Sequence, residues 1–428
     1  RLVLEVLTSI ARDGLQCLRR AGLPILTISL FAFVLHGWLV ARSARLAIDN
    51  GPLGLAVLIA AITVRLSALA ICLWLAANAI TVSGRPLTHL RPLPTRPGRD
   101  VDHDGDEDTP DGSRGQRITD GLRLVMAPMV IVYAAWNLVD WDIHSFLVAK
   151  QSLVNESIFV TGTNADRSNI GFVSGGWKTY IPWAIGCWLV KLAIDKLNER
   201  RDWRLLDVLV VYFECAWVIL TWLVLAPSLL VARAWLGTRA VSDWWDFLVG
   251  SVSGWSLPFD LSLPDLISAA WTGLGGLLST AASHVVWPLL WVSLIGLIVG
   301  WVSLDEITAG RTSSRVAVRN LSRVLDTSTR GLQEKWLPIW AVLSRTLRLG
   351  VVPLLTISLA YAALMLAAVW SRLVVTHLLP IDLIANPVHQ DQLLRLSQAI
   401  IDPLRIALLA GAFAWVVREG LRRKAARP

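Results

Sequence analysis

The chain is poor in charge. Of its 428 residues only 17% are Asp, Glu, Lys or Arg, while 54% are hydrophobic; a soluble domain carries about 25% charged residues. Mean hydropathy is accordingly high, at +0.56. The charges are also segregated, which leaves apolar runs of about 20 residues, long enough to cross roughly 30 Å of hydrocarbon. A soluble globular fold is thereby excluded. A membrane β-barrel is excluded too, because segments of about ten residues with alternating polarity do not occur.

Cysteine is scarce as well. Cys17, Cys72, Cys187 and Cys215 show neither CxxC nor Cys/His spacing, and the last three fall in apolar runs. A thiol in such a setting behaves as a small hydrophobe, so no disulfide and no metal site is expected. A nucleotide-binding loop, HExxH, GxSxG and a well-placed carboxylate pair are all missing. Enzyme chemistry is therefore not expected, with a lipid-modifying membrane enzyme as the lesser alternative.

What the chain does hold is a set of apolar spans, at 22–41, 53–80, 122–142, 179–195, 205–230, 285–303, 350–371 and 402–418. The fold expected is all-α: a polytopic transmembrane protein of about eight helices. The first apolar run follows some twenty amphipathic residues and continues through a full span, which predicts no cleavable leader. Basic loops stay cytoplasmic. If the N-terminus lies inside, inner segments hold nearly three times as many Lys and Arg as outer ones. Both termini are thus predicted to be cytoplasmic, in a multi-pass protein of the cell (inner) membrane.

Two stretches are near twins. Pro24–Leu30 reads PILTISL and Pro353–Leu359 reads PLLTISL. Each starts an outward span after a basic approach, and Leu122-Arg123 followed by Pro128 echoes the pattern at the third span. Inward spans open at Pro52, Pro182, Pro288 and Pro403, where proline suits a first helical turn. Thr27 and Thr356 are placed to satisfy carbonyls freed by the deeper prolines. Four out-and-back hairpins of parallel orientation follow, a repeat array about an axis along the membrane normal.

The expected organisation runs as follows: 1–83 as an amphipathic N-terminal helix and first hairpin, 84–118 as a cytoplasmic linker rich in Pro, Asp and Arg, and 119–200 as the second hairpin with an outer insertion. Then come 201–310 as the third hairpin with a long Trp-rich outer insertion, 311–346 as a basic cytoplasmic segment, and 347–428 as the fourth hairpin with a basic tail.

Tryptophan is abundant, at 22 residues. Its indole favours the membrane boundary, and Trp38, Trp141, Trp203, Trp235 and Trp370 lie near span ends. Trp244, Trp245 and Trp255 suggest an outer interfacial segment, packed on the bundle or facing a partner or lipid. The intramembrane polar candidates are Arg65 in the second span and Glu214 in the fifth. A charge at the bilayer centre is costly, so each should face protein or water: one another, a partner subunit, or a wet path. In the repeat register Glu214 aligns with Ser29, Tyr133 and Ser358, which predicts polarity at one depth, either as a path or as ordinary interhelical hydrogen bonds. Asp140, Asp142 and His144 cluster at the outer end of the third span. Their spacing puts Asp140 and His144 on one face, as a metal or proton site or a solvated helix end.

Two cytoplasmic stretches complete the inventory. Asp100-Val-Asp102-His-Asp104-Gly105, continuing through Asp108 to Asp111, resembles the calcium-binding repeats of the thrombospondin type 3 kind. That resemblance implies calcium held by Asp100, Asp102 and Asp104, whose hard oxygens suit the ion; a disordered acidic linker is the other reading. Arg311, Arg315, Arg319 and Arg323 recur every fourth residue, a basic stripe for anionic inner-leaflet lipids or for the acidic linker. No aromatic platform accompanies it, so nucleic acid is not an expected partner. A scaffold or anchoring subunit working with other membrane subunits is the function expected first. A transporter or channel, tension-sensitive or not, with a path past Arg65 and Glu214 is the second.

Overall fold

The computed structural model describes residues 2–82, 85–87, 114–135, 138–161, 176–201, 203–237, 285–299, 350–378 and 387–425, with short pieces of 247–276 and 343–347. Arg311, Arg315, Arg319 and Arg323, Trp244, Trp245 and Trp255, and Asp100, Asp102 and Asp104 all lie outside the described residues.

The described residues are almost wholly helical. They form α1 (Leu2–Asp49), α2 (Gly51–Ala79), α3 (Arg114–Ala135), α4 (Leu138–Thr161), α5 (Gly176–Arg201), α6 (Arg204–Gly237), α7 (Trp287–Ile298), α8 (Val351–Leu378) and α9 (Pro387–Ala425). Two small antiparallel ladders join Thr81–Val82 to Arg85–Pro86 and Ser256–Leu257 to Leu261–Ser262.

Five helices are long and apolar enough to cross a membrane: Val3–Asp49, Gly51–Ala79, Leu205–Ala232, Val351–Ser371 and Ile400–Arg423. They fit a helical, multi-pass membrane protein. Three of the eight expected spans are missing from this set among the described residues. Val125–Ala134 and Trp287–Ile298 are shorter apolar helices, and in α5 the charges Lys191, Asp195 and Lys196 interrupt the apolar run.

The N-terminal twenty residues do not form a separate surface helix. They are the first part of α1, which runs unbroken for 48 residues with Pro24 inside it, about 72 Å at 1.5 Å per residue. Val6, Ile10, Asp13, Cys17, Ala21 and Ile25 are buried along this stretch. Their spacing of three and four marks one helical face, and that face is covered by α9. The two backbones meet directly: a Cβ on Gly411 would stand 2.6 Å from the Ile10 carbonyl oxygen, and one on Gly14 would stand 3.3 Å from that of Ala407. Small residues are what let membrane helices approach this closely. The crossing is locked by Arg418 on α9. Its guanidinium forms a two-nitrogen salt bridge with the buried Asp13 and donates to Ser9 Oγ at 2.8 Å.

Along its second half α1 packs antiparallel on α2. The expected outer connection of about ten residues is a single joint at Asn50: its Oδ1 accepts from the Leu53 amide at 3.1 Å, and Pro52 occupies the first turn of α2. Gly54 is needed there, because a Cβ would fall 2.4 Å from that of Ala47. The other close hairpin is α5–α6, whose two helices pack on one another along their length. The fifth span thus packs chiefly on the fourth rather than the sixth. Likewise α9 packs chiefly on α1 rather than α8.

Two proline expectations change. Pro182 and Pro403 sit inside α5 and α9, not at their starts. In the twin heptads Thr27 Oγ1 donates to the Leu23 carbonyl at 2.9 Å and Thr356 Oγ1 to that of Val352 at 2.8 Å. Both are bonds one turn back, to the residue just before proline. The carbonyl that proline leaves unmatched is four residues before the ring, so the threonines reinforce a neighbouring bond instead. The second heptad starts its helix immediately after Gly350, whose φ of +110° only glycine adopts easily.

Candidate functional site

Midway along the α1–α2 pair, a cavity of about 90 Å³ opens among seven helices, with Leu138 of α4 among its lining residues. It is large enough for a few waters or a small ion. α1 contributes Ser29 and His36, α2 Arg65, α3 Tyr133, α7 Trp291, α8 Met365, and α9 Asp402 and Arg405.

One wall is built around Asp142 on α4, which is fully buried. Tyr133 donates its hydroxyl to Asp142 Oδ2 at 2.6 Å. Arg65 Nη1 reaches Asp142 Oδ1 at 3.4 Å and donates to the Tyr133 hydroxyl oxygen at 2.9 Å, with its guanidinium 5.6 Å from the Tyr133 ring centre. His36 Nε2 stands 3.3 Å from the same Oδ1. One carboxylate is therefore shared by three groups on three other helices. Tyr133 belongs to α3 and Asp142 to α4. On one continuous helix positions 133 and 142 would face opposite ways and lie about 13 Å apart along the axis, so their contact depends on α3 and α4 being separate helices. Buried Val139, Phe146 and Val154 continue the inward stripe of α4 and hold Asp142 there.

The facing wall is local to α9. Arg405 Nη2 lies 2.8 Å from Asp402 Oδ1, one turn away, and its guanidinium sits 5.7 Å from the Trp291 ring centre. Two arginines and Asp402 thus line one void, with Asp142 held behind Arg65, Tyr133 and His36. The formal charges of the two arginines and two aspartates cancel.

Of the options open to Arg65 and Glu214, pairing with one another does not form. Glu214 lies between α5 and α6, 2% exposed, with Lys191 Nζ at 2.5 Å from its Oε2. Arg65 instead finds Asp142. Of the four positions aligned at one depth, Ser29 and Tyr133 line the cavity, whereas Glu214 and Ser358 do not. Ser358 is buried, with no hydrogen bond to its hydroxyl among the described residues. The acidic cluster on α4 is also reordered: Asp140 and His144 point outward and Asp142 points in. Among the described residues no group of three or more His, Cys, Asp or Glu is disposed to hold a metal ion, and no disulfide joins the four cysteines.

Sequence reasoning missed His36, Asp402 and Arg405. His36 carried a usable signal, since an ionisable residue inside an apolar span is a candidate by default. Arg405 falls at the very start of the span expected at 402–418, where a charge draws no notice; helix α9 begins fifteen residues earlier and carries it well inside. Comparison of the chain with family models, with curated proteins and with solved structures finds no match.

Proposed function

We propose that this chain is a polytopic membrane transport protein, and that the cavity between Arg65 and Arg405 holds the species it moves. The observation that carries the reading is the pair of arginines from different helices facing one water-sized void. Placing such charges among apolar helices costs several kcal/mol unless they are matched. A protein needing only a stable bundle gains nothing from a hollow there. The balanced charges and the His36–Asp142 contact suit a small ion or zwitterion moved together with a proton. On the distribution of Lys and Arg, both termini face the cytoplasm of a cell membrane.

The twin heptads support a repeated construction. The register that aligns Pro24 with Pro353 also aligns His36 with Met365, and both line the cavity. In this reading α1–α2 and α8–α9 are related hairpins that enclose the site.

The experiment is ion and proton flux in proteoliposomes of the full chain, read with an entrapped pH dye. Flux is expected for the native chain, and a loss of tenfold or more, on the order of 1.4 kcal/mol in transition-state terms, for Asp142→Asn with the fold intact by circular dichroism. His36→Gln is expected to flatten its pH dependence between about pH 5 and 8. A scaffold or anchoring subunit is the second reading, favoured by α5, where Trp183, Ile185, Trp188 and Leu189 form an exposed apolar face. Absence of flux, with a stoichiometric partner co-purifying through that face, would put it first.

A further inference from the structure

A second feature of α1 has no part in the cavity. Arg12, Leu15, Gln16, Arg19 and Arg20 line a groove of about 350 Å³. These positions recur at intervals of three and four, so they share one face of the helix, opposite the stripe that packs on α9. Arg12, Arg19 and Arg20 are exposed and no acidic residue lines the groove. The nearest carboxylate in sequence, Asp13, is turned into the core and engaged by Arg418. Among the described residues the three guanidinium groups form no ion pair.

The groove is also anchored at a definite level. Arg20 Nη1 donates to the carbonyl of Ala79, the last residue of α2, at 3.3 Å, and Gln16 Nε2 donates to Thr81 Oγ1 at 3.2 Å. The basic face therefore begins where a membrane-crossing helix ends. Moving the other way along the same face, the exposed residues become apolar: Leu23, Phe31, Val34 and Trp38. A cationic cup at the end of an apolar track matches the two halves of a phospholipid. Guanidinium groups bind phosphate oxygens through paired N–H donors, and basic residues beside a membrane attract anionic lipids.

We propose that Arg12, Gln16, Arg19 and Arg20 form a binding site for the phosphate headgroup of one anionic phospholipid, whose acyl chain lies along Leu23, Phe31 and Val34. The site needs only that α1 crosses the membrane, so it stands or falls separately from the transport reading. It is also distinct from the basic stripe at Arg311–Arg323.

The test is native mass spectrometry of the purified full chain in detergent, titrated with phosphatidylglycerol, with phosphatidylcholine, and with inorganic phosphate. The native chain is expected to retain one phosphatidylglycerol in preference to phosphatidylcholine. The triple variant Arg12→Gln/Arg19→Gln/Arg20→Gln should lose roughly 100-fold in phosphatidylglycerol affinity, about fivefold for each arginine. If the triple variant misfolds, Arg12→Gln/Arg19→Gln serves instead, since both side chains are exposed; a loss of roughly 25-fold is expected. Arg422→Gln/Arg423→Gln removes the same charge from α9 and should leave retention unchanged. Equal loss in that control, equal retention of both lipids, or inorganic phosphate bound as tightly as phosphatidylglycerol would each overturn the proposal.

Discussion

Two buried carboxylates in this protein are treated in opposite ways. Among the described residues Glu214 meets Lys191 on the helix beside it, which also stands 3.9 Å from Asp195, and it does not line the cavity. Asp142 is shared by His36, Arg65 and Tyr133, which come from three separate helices and themselves border the cavity. The desolvation cost is similar in kind, because each removes a charge from water. An ion pair between two neighbouring helices asks only that those two stay together. A shared carboxylate ties four helices to one point and leaves its partners facing a space that a solute can enter. The first arrangement is that of a fastener and the second that of a site.

The comparison is broken most directly at Asp142. Asp142→Ala removes the buried carboxylate that half-buried Arg65 faces, and the loss is expected to fall below the roughly 3–5 kcal/mol of a fully buried broken pair. A fall in thermal stability in detergent is expected, together with loss of flux. If stability and flux both survive, Asp142 is not the organising group.

Glu214→Ala should destabilise by a similar amount, but the fate of the double variant separates the two carboxylates. Lys191→Met/Glu214→Leu replaces the pair with apolar side chains and is expected to fall within about 1 kcal/mol of the native stability, with flux unchanged. Loss of flux in that variant would mean that the α5–α6 pair belongs to the site after all.

Gly411→Ala tests the frame behind the cavity rather than its chemistry. The new Cβ would stand 2.6 Å from the Ile10 carbonyl oxygen, so α1 and α9 must separate, at a cost of about 1–3 kcal/mol. Lower thermal stability is expected, and flux should fall because Arg405 moves with α9. The smallest effect is expected for Thr27→Val and Thr356→Val, which remove one-turn-back hydrogen bonds in the twin heptads. Polar contacts of this kind in membrane bundles are worth about 0.6 kcal/mol on average. Matched small shifts in the two variants would sharpen the case for related hairpins, and a large shift in only one would weaken it.

Some of this was legible in the amino-acid order. The apolar run of α2 and the proline at its first turn were read correctly from local patterning, and Arg65 stood out as a charge without a local partner. Other features were not legible, for identifiable reasons. Residues 2–20 look like a surface helix because Arg12, Arg19 and Arg20 lie on one side. Their other side is covered by a helix some four hundred positions away, and no local pattern announces that. Asp142 was grouped with Asp140 and His144 by spacing, but it alone is buried, against Tyr133 of α3 and Arg65 of α2.

By itself, the sequence determined that this chain forms helices long and apolar enough to cross a lipid bilayer and that a few charges among them must be matched. Hydropathy sums over neighbouring residues, so it survives any folding of the chain. Only the tertiary structure decided that Asp142, not Glu214, receives Arg65, and that Arg405 closes the opposite wall. Ion pairing depends on direction and on distances of a few ångströms, and those are set by helix breaks and glycine crossings between segments far apart in the chain.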